Sequence, residues 1–144
     1  MNWIILLLVF IAGAATSIQA GVNGTLGKKV GALEAAFISF LVGTIFLSIL
    51  LAFLRKGNIM SALETPRWQL TGGLLGAVYI LIMVTAVPRI GIAAALVTLI
   101  AGQLITGTLI DHFGFIGDKQ IPIDWKRVTA IILLGCSIYL FNKK

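Results

Sequence analysis

Residues 32–54 read ALEAAFISFLVGTIFLSILLAFL, and this stretch decides the fold because its only charged side chain is Glu34. A helix needs about 20 consecutive, predominantly apolar residues to cross the hydrocarbon core of a bilayer. Comparable runs lie on both sides of it. The sequence therefore predicts an all-α integral membrane protein, one domain over residues 1–144 with five transmembrane helices: Trp3–Leu26, Ala32–Leu54, Gln69–Val87, Gly91–Phe113 and Lys126–Asn142.

The composition of the whole chain agrees with this class. Hydrophobic residues make up 59% and charged residues 11%, whereas a soluble domain averages about 25% charged. Soluble enzymes, nucleic-acid-binding proteins and secreted disulfide domains are excluded, and the expected environment is the lipid bilayer. The single cysteine, Cys136, lies in an apolar run and has no second cysteine in the chain to pair with.

Glycine, proline and a capping residue predict where the helices end. Gly27 and Gly31 enclose Lys28 and Lys29, which predicts a tight turn, and Pro88 is expected to break the third helix. Asp124 has the side chain of an N-cap for the fifth helix. Residues 1–20 resemble a secretory signal but lack a basic start, so we predict that they form a retained first helix.

The positive charges are divided almost equally between the two predicted membrane sides. Positive charge on short loops sets the orientation of a membrane protein. An equal division of this charge therefore predicts that the chain inserts in both orientations and forms an antiparallel homodimer. Two inverted copies would form the inverted repeat on which many transporters rely. The alternative is that other details, such as the free amino terminus, favour one orientation. Six positive charges lie on the N-terminal side, Arg55, Lys56, Arg67, Lys119, Lys126 and Arg127, and five on the other, Lys28, Lys29, Arg89, Lys143 and Lys144.

Small residues at helical spacing predict where the helices pack. Small side chains spaced four residues apart let membrane helices approach closely, although such stripes are common and each is weak evidence. The predicted packing positions are Gly13, Ser17, Gly21, Gly72, Gly76 and Gly102.

Four polar side chains lie inside the predicted spans and are candidates for substrate binding: Gln19, Asn23, Tyr79 and Gln103. An unsatisfied amide in hydrocarbon costs several kcal/mol, so these groups must contact protein or a wet cavity. They either form hydrogen bonds between helices or line a substrate path, and the sequence favours neither reading.

Three ionisable residues lie near helix ends and are candidates for ion coupling or ion pairing. Glu34 lies in a first helical turn, where the helix dipole favours a negative charge, whereas Asp111 lies in a last turn, where the dipole opposes it. His112 or a basic partner would explain the position of Asp111. In an antiparallel dimer, Glu34 of one chain would lie on the same membrane side as Asp111 and His112 of the other.

The sequence contains no metal-ligand cluster, phosphate-binding loop or Ser-His-Asp arrangement. One histidine and scattered acids do not define a catalytic site. We therefore expect neither an enzyme nor a cofactor.

The chain contains five motifs that are informative together: QAGVNGTLG at 19–27, FLVGT at 40–44, GGLLG at 72–76, GQ at 102–103 and DHFG at 111–114. They resemble those of the YdcZ-like family, a bacterial group of short five-helix proteins in the drug/metabolite transporter superfamily. The resemblance implies a plasma-membrane protein of dual or paired opposite topology, related to the small multidrug resistance exporters. Those exporters carry a glutamate in their first helix, but here that helix has no acid and Glu34 is the nearest candidate.

These observations favour a small secondary transporter in a bacterial inner membrane. We expect it to move a small polar or cationic metabolite or drug by alternating access, with or without coupling to protons. A small-ion channel built as an antiparallel dimer and a non-transporting assembly partner are the alternatives.

Overall fold

The computed structural model describes residues 2–54, 57–116 and 120–143, apart from the side chain of Asn142. All regular structure in these residues is helical. The five α-helices are α1 (Trp3–Val30), α2 (Ala32–Leu54), α3 (Gly72–Ile90), α4 (Ile92–Phe113) and α5 (Trp125–Asn142), and 3-10 helices cover Ile59–Glu64 and Arg67–Thr71. The prediction of an all-helical protein is confirmed.

Four helical stretches in the described residues are long and apolar enough to cross a membrane: Trp3–Val30, Ala32–Leu54, Arg67–Ile90 and Ile92–Phe113. α5 is not among them, although it forms a helix where the sequence predicted one. It has Lys126 and Arg127 in its first turn, and these charges lower its mean hydropathy. The fifth membrane span and the dimer therefore stay predictions.

Two predicted helix ends are wrong. α1 continues through Lys28 and Lys29 to Val30, and the chain turns only at Gly31, whose φ of 102° suits a residue without a Cβ. α3 likewise continues past Pro88 to Ile90 and ends before Gly91, where φ is 85°. In both places one glycine is enough to separate two helices. The cap at Asp124 is confirmed, because its carboxylate accepts a hydrogen bond from the Arg127 backbone N–H at 2.9 Å.

Large apolar side chains point outward along the predicted spans. Phe10, Phe53 and Leu74 are 75%, 82% and 67% exposed, an arrangement that water would oppose but lipid chains accept. The buried residues are mostly small. This distribution agrees with a membrane environment.

The chain divides into two compact units, Met1–Arg89 and Ile90–Lys144. In the first unit, α1 packs against α2. A small apolar core joins α2 to α3, with Ala35, Ala36, Ile80 and Val84 at its centre, and Leu26, Ala32, Phe40, Tyr79 and Leu81 around it. The alanines of α2 leave room for the larger side chains of α3.

Glycines let α1 and α3 approach closely within this unit. A Cβ at Gly24 would lie 3.2 Å from Val87 Cγ1, and one at Gly27 would overlap Val84 Cγ1. Among the predicted packing positions, Gly76 contacts the ring of Phe40, whose Cζ would lie 3.3 Å from a Cβ at Gly76. A Cβ at Gly13, Gly72 or Gly102 would meet no atom within 4 Å, so their packing role stays a prediction.

Substituting Gly27 with alanine should lower the thermal stability of the protein. The new methyl group would overlap Val84, and overpacking of this kind costs about 1–3 kcal/mol, more than the roughly 1 kcal/mol that alanine gains over glycine in a helix. Gly43→Ala is the matched control, because a Cβ at Gly43 meets nothing within 4 Å. The measurement is thermal unfolding in detergent, and equal melting temperatures for the two variants would contradict the close approach.

The second unit contains α4 and α5, which pack against each other. Shortly before α5 the chain lies beside the end of α4, where Ile121 N donates a hydrogen bond to Asp111 O at 2.8 Å. The two helices border an open cleft.

Candidate functional site

A cleft of about 360 Å³ lies between α4 and α5 in the second unit. Its volume falls within the range of about 300–1,000 Å³ that is usual for small-molecule sites. The lining mixes an amide, a hydroxyl and two opposite charges with apolar side chains: Gln103, Leu104, Gly107, Thr108, Asp111, Arg127 and Ala130.

An ion pair between Asp111 and Arg127 borders this cleft. Arg127 Nη1 donates to Asp111 Oδ2 at 3.0 Å, and the two side chains are 43% (Asp111) and 30% (Arg127) exposed. The helix dipole opposes each charge, since Asp111 lies in the last turn of α4 and Arg127 in the first turn of α5. Each charge offsets the unfavourable position of the other. The basic partner of Asp111 that the sequence left open is therefore Arg127.

His112 connects the end of α4 to the following segment. Its Nδ1 accepts a hydrogen bond from Ile123 N at 3.2 Å, and its backbone carbonyl accepts one from Gln120 Nε2 at 2.7 Å. The last carbonyls of a helix have no partner within the helix, so the bond from Gln120 satisfies one of them from outside. The contacts of His112 are structural ones, and a role in ion coupling stays a prediction.

Gln103 lies deeper along the same helix. Eight residues separate it from Asp111, which is about 12 Å at the rise of an α-helix. Its amide is exposed and has no hydrogen-bond partner among the described residues. The structure thus brings two predicted site residues, Gln103 and Asp111, to one cleft.

Thr108 is a buried polar residue on the wall of the cleft. It is 6% exposed, and within the described residues its hydroxyl has no hydrogen-bond partner. Thr25 and Thr98 instead donate to the backbone carbonyl four residues earlier. Thr108 is one of the residues that line the cleft.

Gly107 makes room in the same wall. A Cβ at this position would meet no atom within 4 Å, so the lack of a side chain leaves the space empty. Gly107 lies one helical turn from both Gln103 and Asp111, and all three border the cleft.

The other predicted site residues lie in the first unit. Asn23 is 6% exposed and donates from Nδ2 to Ser39 Oγ at 3.1 Å, which is a bond between α1 and α2. Tyr79 packs against the apolar core, and Gln19 is exposed on α1. Glu34 is exposed at the start of α2, close to Gly31. Their part in substrate binding or coupling stays a prediction.

Sequence reasoning missed three residues of the cleft: Gly107, Thr108 and Arg127. Arg127 was counted only as a positive charge, although the unfavourable dipole at Asp111 signalled the need for such a partner. Gly107 was detectable by its spacing of four residues from Gln103 and from Asp111. In residues 2–54, 57–116 and 120–143, no group of three His, Cys, Asp or Glu side chains could hold a metal.

Comparison with known proteins gives one family. The family model described as "Putative inner membrane exporter, YdcZ" matches residues 4–140, nearly the whole chain. No curated protein and no solved structure matches.

Proposed function

This chain belongs to the YdcZ family, the one described as "Putative inner membrane exporter", and from that premise we propose that it is a secondary transporter whose substrate binds in the cleft between α4 and α5. The family and the apolar helices make it a multi-pass protein of the bacterial inner membrane with a transport function. An exporter family is not an enzyme class. The substrate class that we propose is a small polar or charged metabolite or drug.

The observation that carries the proposal is the polar lining of the cleft. In a chain so rich in apolar residues, four polar side chains border one space: Gln103, Thr108, Asp111 and Arg127. Polar groups at membrane depth are costly unless they have partners or face water. A site that admits a polar solute gives them such an environment.

We further propose that two copies assemble in opposite orientations. The support is the balance of six against five positive charges, which depends on α5 crossing the membrane. α5 has 18 residues, about 27 Å of helix, against a hydrocarbon core of about 30 Å. Its packing against α4 is consistent with a fifth span.

In an antiparallel pair, the cleft of one copy would face one membrane side and that of its partner the other. Inverted copies of this kind supply the symmetry from which alternating access follows. A carrier is favoured over a channel because the polar groups border a cleft of limited volume on one helix pair, where a solute would be held.

Replacing Gln103 with leucine should lower transport by roughly tenfold or more, because a lost hydrogen bond leaves a polar substrate unpaired in a site built for it. The protein is reconstituted in liposomes, and labelled amines, quaternary ammonium compounds and amino acids are screened for flux with and without a proton gradient. Flux of the compound found in this screen is then compared between variants.

Gln69→Leu is the matched control, since Gln69 is exposed in the 3-10 helix before α3 and does not border the cleft. Equal flux for Gln103→Leu and Gln69→Leu would remove the site from the proposal. The rate of flux distinguishes a carrier from a channel. Flux into single vesicles at the rate of free ion conduction would contradict the carrier. Purified protein that shows no flux at all would favour the third alternative, a non-transporting partner of another membrane protein.

A further inference from the structure

The charged groups that border the cleft cancel each other. Asp111 and Arg127 are the only ionisable side chains in its described lining, so this described part of the lining carries no net charge when both are ionised. Lys126 and Asp124 lie nearby in sequence but are exposed and outside the lining. A ligand with a single charge would therefore place an uncompensated charge beside a neutral pair.

The ion pair uses only part of its bonding capacity. One hydrogen bond joins Arg127 Nη1 to Asp111 Oδ2. Within the described residues, Asp111 Oδ1 and Arg127 Nε and Nη2 have no hydrogen-bond partner. A carboxylate oxygen can still accept from a cation, and a guanidinium edge can still donate to an anion.

A second observation points to a ligand in the same place. Among the residues that the structure describes, nothing bonds to the hydroxyl of Thr108, although the residue is 94% buried, and it lies three residues before Asp111 on the same helix. Residues three apart on a helix share a face. An unused acceptor, unused cationic donors and an unused hydroxyl thus lie at one end of the cleft.

We propose that this end of the cleft binds a small zwitterion whose ammonium and carboxylate groups are attached to the same carbon atom. The ammonium donates to Asp111 Oδ1, the carboxylate accepts from the free edge of Arg127, and the Thr108 hydroxyl bonds to the carboxylate. The rest of the ligand extends along α4 past Gly107 toward Gln103. The binding of a zwitterion does not depend on the proposed transport function. That function is needed only for the further step, in which the bound zwitterion is also the molecule transported.

Geometry and charge both favour this ligand. The two charged groups of such a molecule are close neighbours, as are those of the ion pair, whose N–O distance is 3.0 Å. The two charges of the ligand and the two of the ion pair would alternate in a ring whose net charge is zero. Hydrogen bonds between charged groups are also stronger than those to a neutral polar molecule. A ligand with one charge would have to break the pair or bind beside a group of its own sign.

Binding is tested with four small probes, 2-aminobutyrate, butyrate, propylamine and butyramide, by equilibrium dialysis against purified protein in detergent. All four share a short alkyl chain. 2-Aminobutyrate carries both charges, butyrate only the negative charge, propylamine only the positive charge, and butyramide no charge. The expected result is that 2-aminobutyrate binds at least roughly tenfold more tightly than the other three. Equal or tighter binding of any other probe, or no binding of 2-aminobutyrate, would overturn the proposal.

Two variants distinguish ligand binding from a structural role of the ion pair. Asp111→Asn should shift the preference toward butyrate and Arg127→Gln toward propylamine, because each leaves the other charge unpaired. If the pair only stabilised the hairpin, both variants would weaken all probes in proportion, and that result would overturn the assignment. Because the ion pair is partly exposed, we expect both variants to fold, and gel filtration checks this. One folded variant is enough for the test.

Dialysis measures binding without transport, so the two proposals can fail separately. Selective binding of 2-aminobutyrate with no flux in liposomes would reject the transporter and retain the site. Flux of another compound with no binding of 2-aminobutyrate would retain the transporter and reject the zwitterion.

Discussion

Replacing Gly107 with leucine is expected to lower transport by roughly tenfold or more, since even a displacement of about 1 Å in a binding site can reduce turnover by this much. The reason is steric. The new side chain would enter the cleft of about 360 Å³ that Gly107 borders, in the space between Gln103 and Asp111. The measurement is flux in liposomes of the compound identified by the substrate screen.

Folding should survive this change, because a Cβ at Gly107 meets no atom within 4 Å and leucine is a better helix former than glycine. Gly135→Leu is the matched control. It makes the same substitution on α5 at another open position that does not border the cleft, and it should leave flux unchanged. Full flux in a folded Gly107→Leu variant would show that the substrate does not pass through this cleft.

The second large effect is expected from changing the balance of positive charge. Replacing Lys28 and Lys29 with glutamine leaves six positive charges against three, and replacing Arg55, Lys56 and Arg67 with glutamine leaves three against five. Because positive charge is retained on the cytoplasmic side, each variant should insert mainly one way, and the two should take opposite orientations. Either variant expressed by itself should lose most of its transport activity, because no copies of the opposite orientation are present to pair with.

Coexpression of the two charge variants is the control for this prediction. Together they supply both orientations, so transport should return to at least roughly half of the unmodified level. None of the substituted residues borders the described cleft. Full transport by either variant expressed alone would show that one orientation is sufficient and would contradict the antiparallel pair.

The class of the protein could be predicted from its sequence because the apolar runs are long and nearly free of charge. The ends of helices were harder to predict. Lys28 and Lys29 suggested a turn, but α1 continues to Val30 because a single glycine, Gly31, provides the positive φ that the turn requires. Pro88 suggested a break, yet α3 extends two residues further, and Gly91 ends it.

The candidate site was only partly visible in the sequence. Gln103 stood out because an amide is costly in hydrocarbon, and Asp111 because the helix dipole opposes it. Arg127 could not be assigned, since its contact with Asp111 depends on how α4 and α5 pack. Thr108 resembles any threonine in a membrane helix until its burial is known, together with the lack of a partner for its hydroxyl in the described part of the chain.

Asn23 illustrates the opposite difficulty. Its amide was a candidate for substrate binding, and the structure provides a partner, Ser39 on α2. The two residues lie eight positions before and after Gly31, so the bond joins two antiparallel helices. The sequence could not choose between a bond of this kind and a polar lining, because both satisfy the same amide.

Sidedness of the carboxyl terminus tests the antiparallel dimer most directly. A cysteine is introduced as Asn142→Cys in a Cys136→Ser background, which leaves every Lys and Arg in place. Intact cells and opened vesicles are then labelled with a membrane-impermeant maleimide. We predict labelling from both sides in similar amounts, as balanced charge requires, and labelling of all chains from one side only would contradict the account.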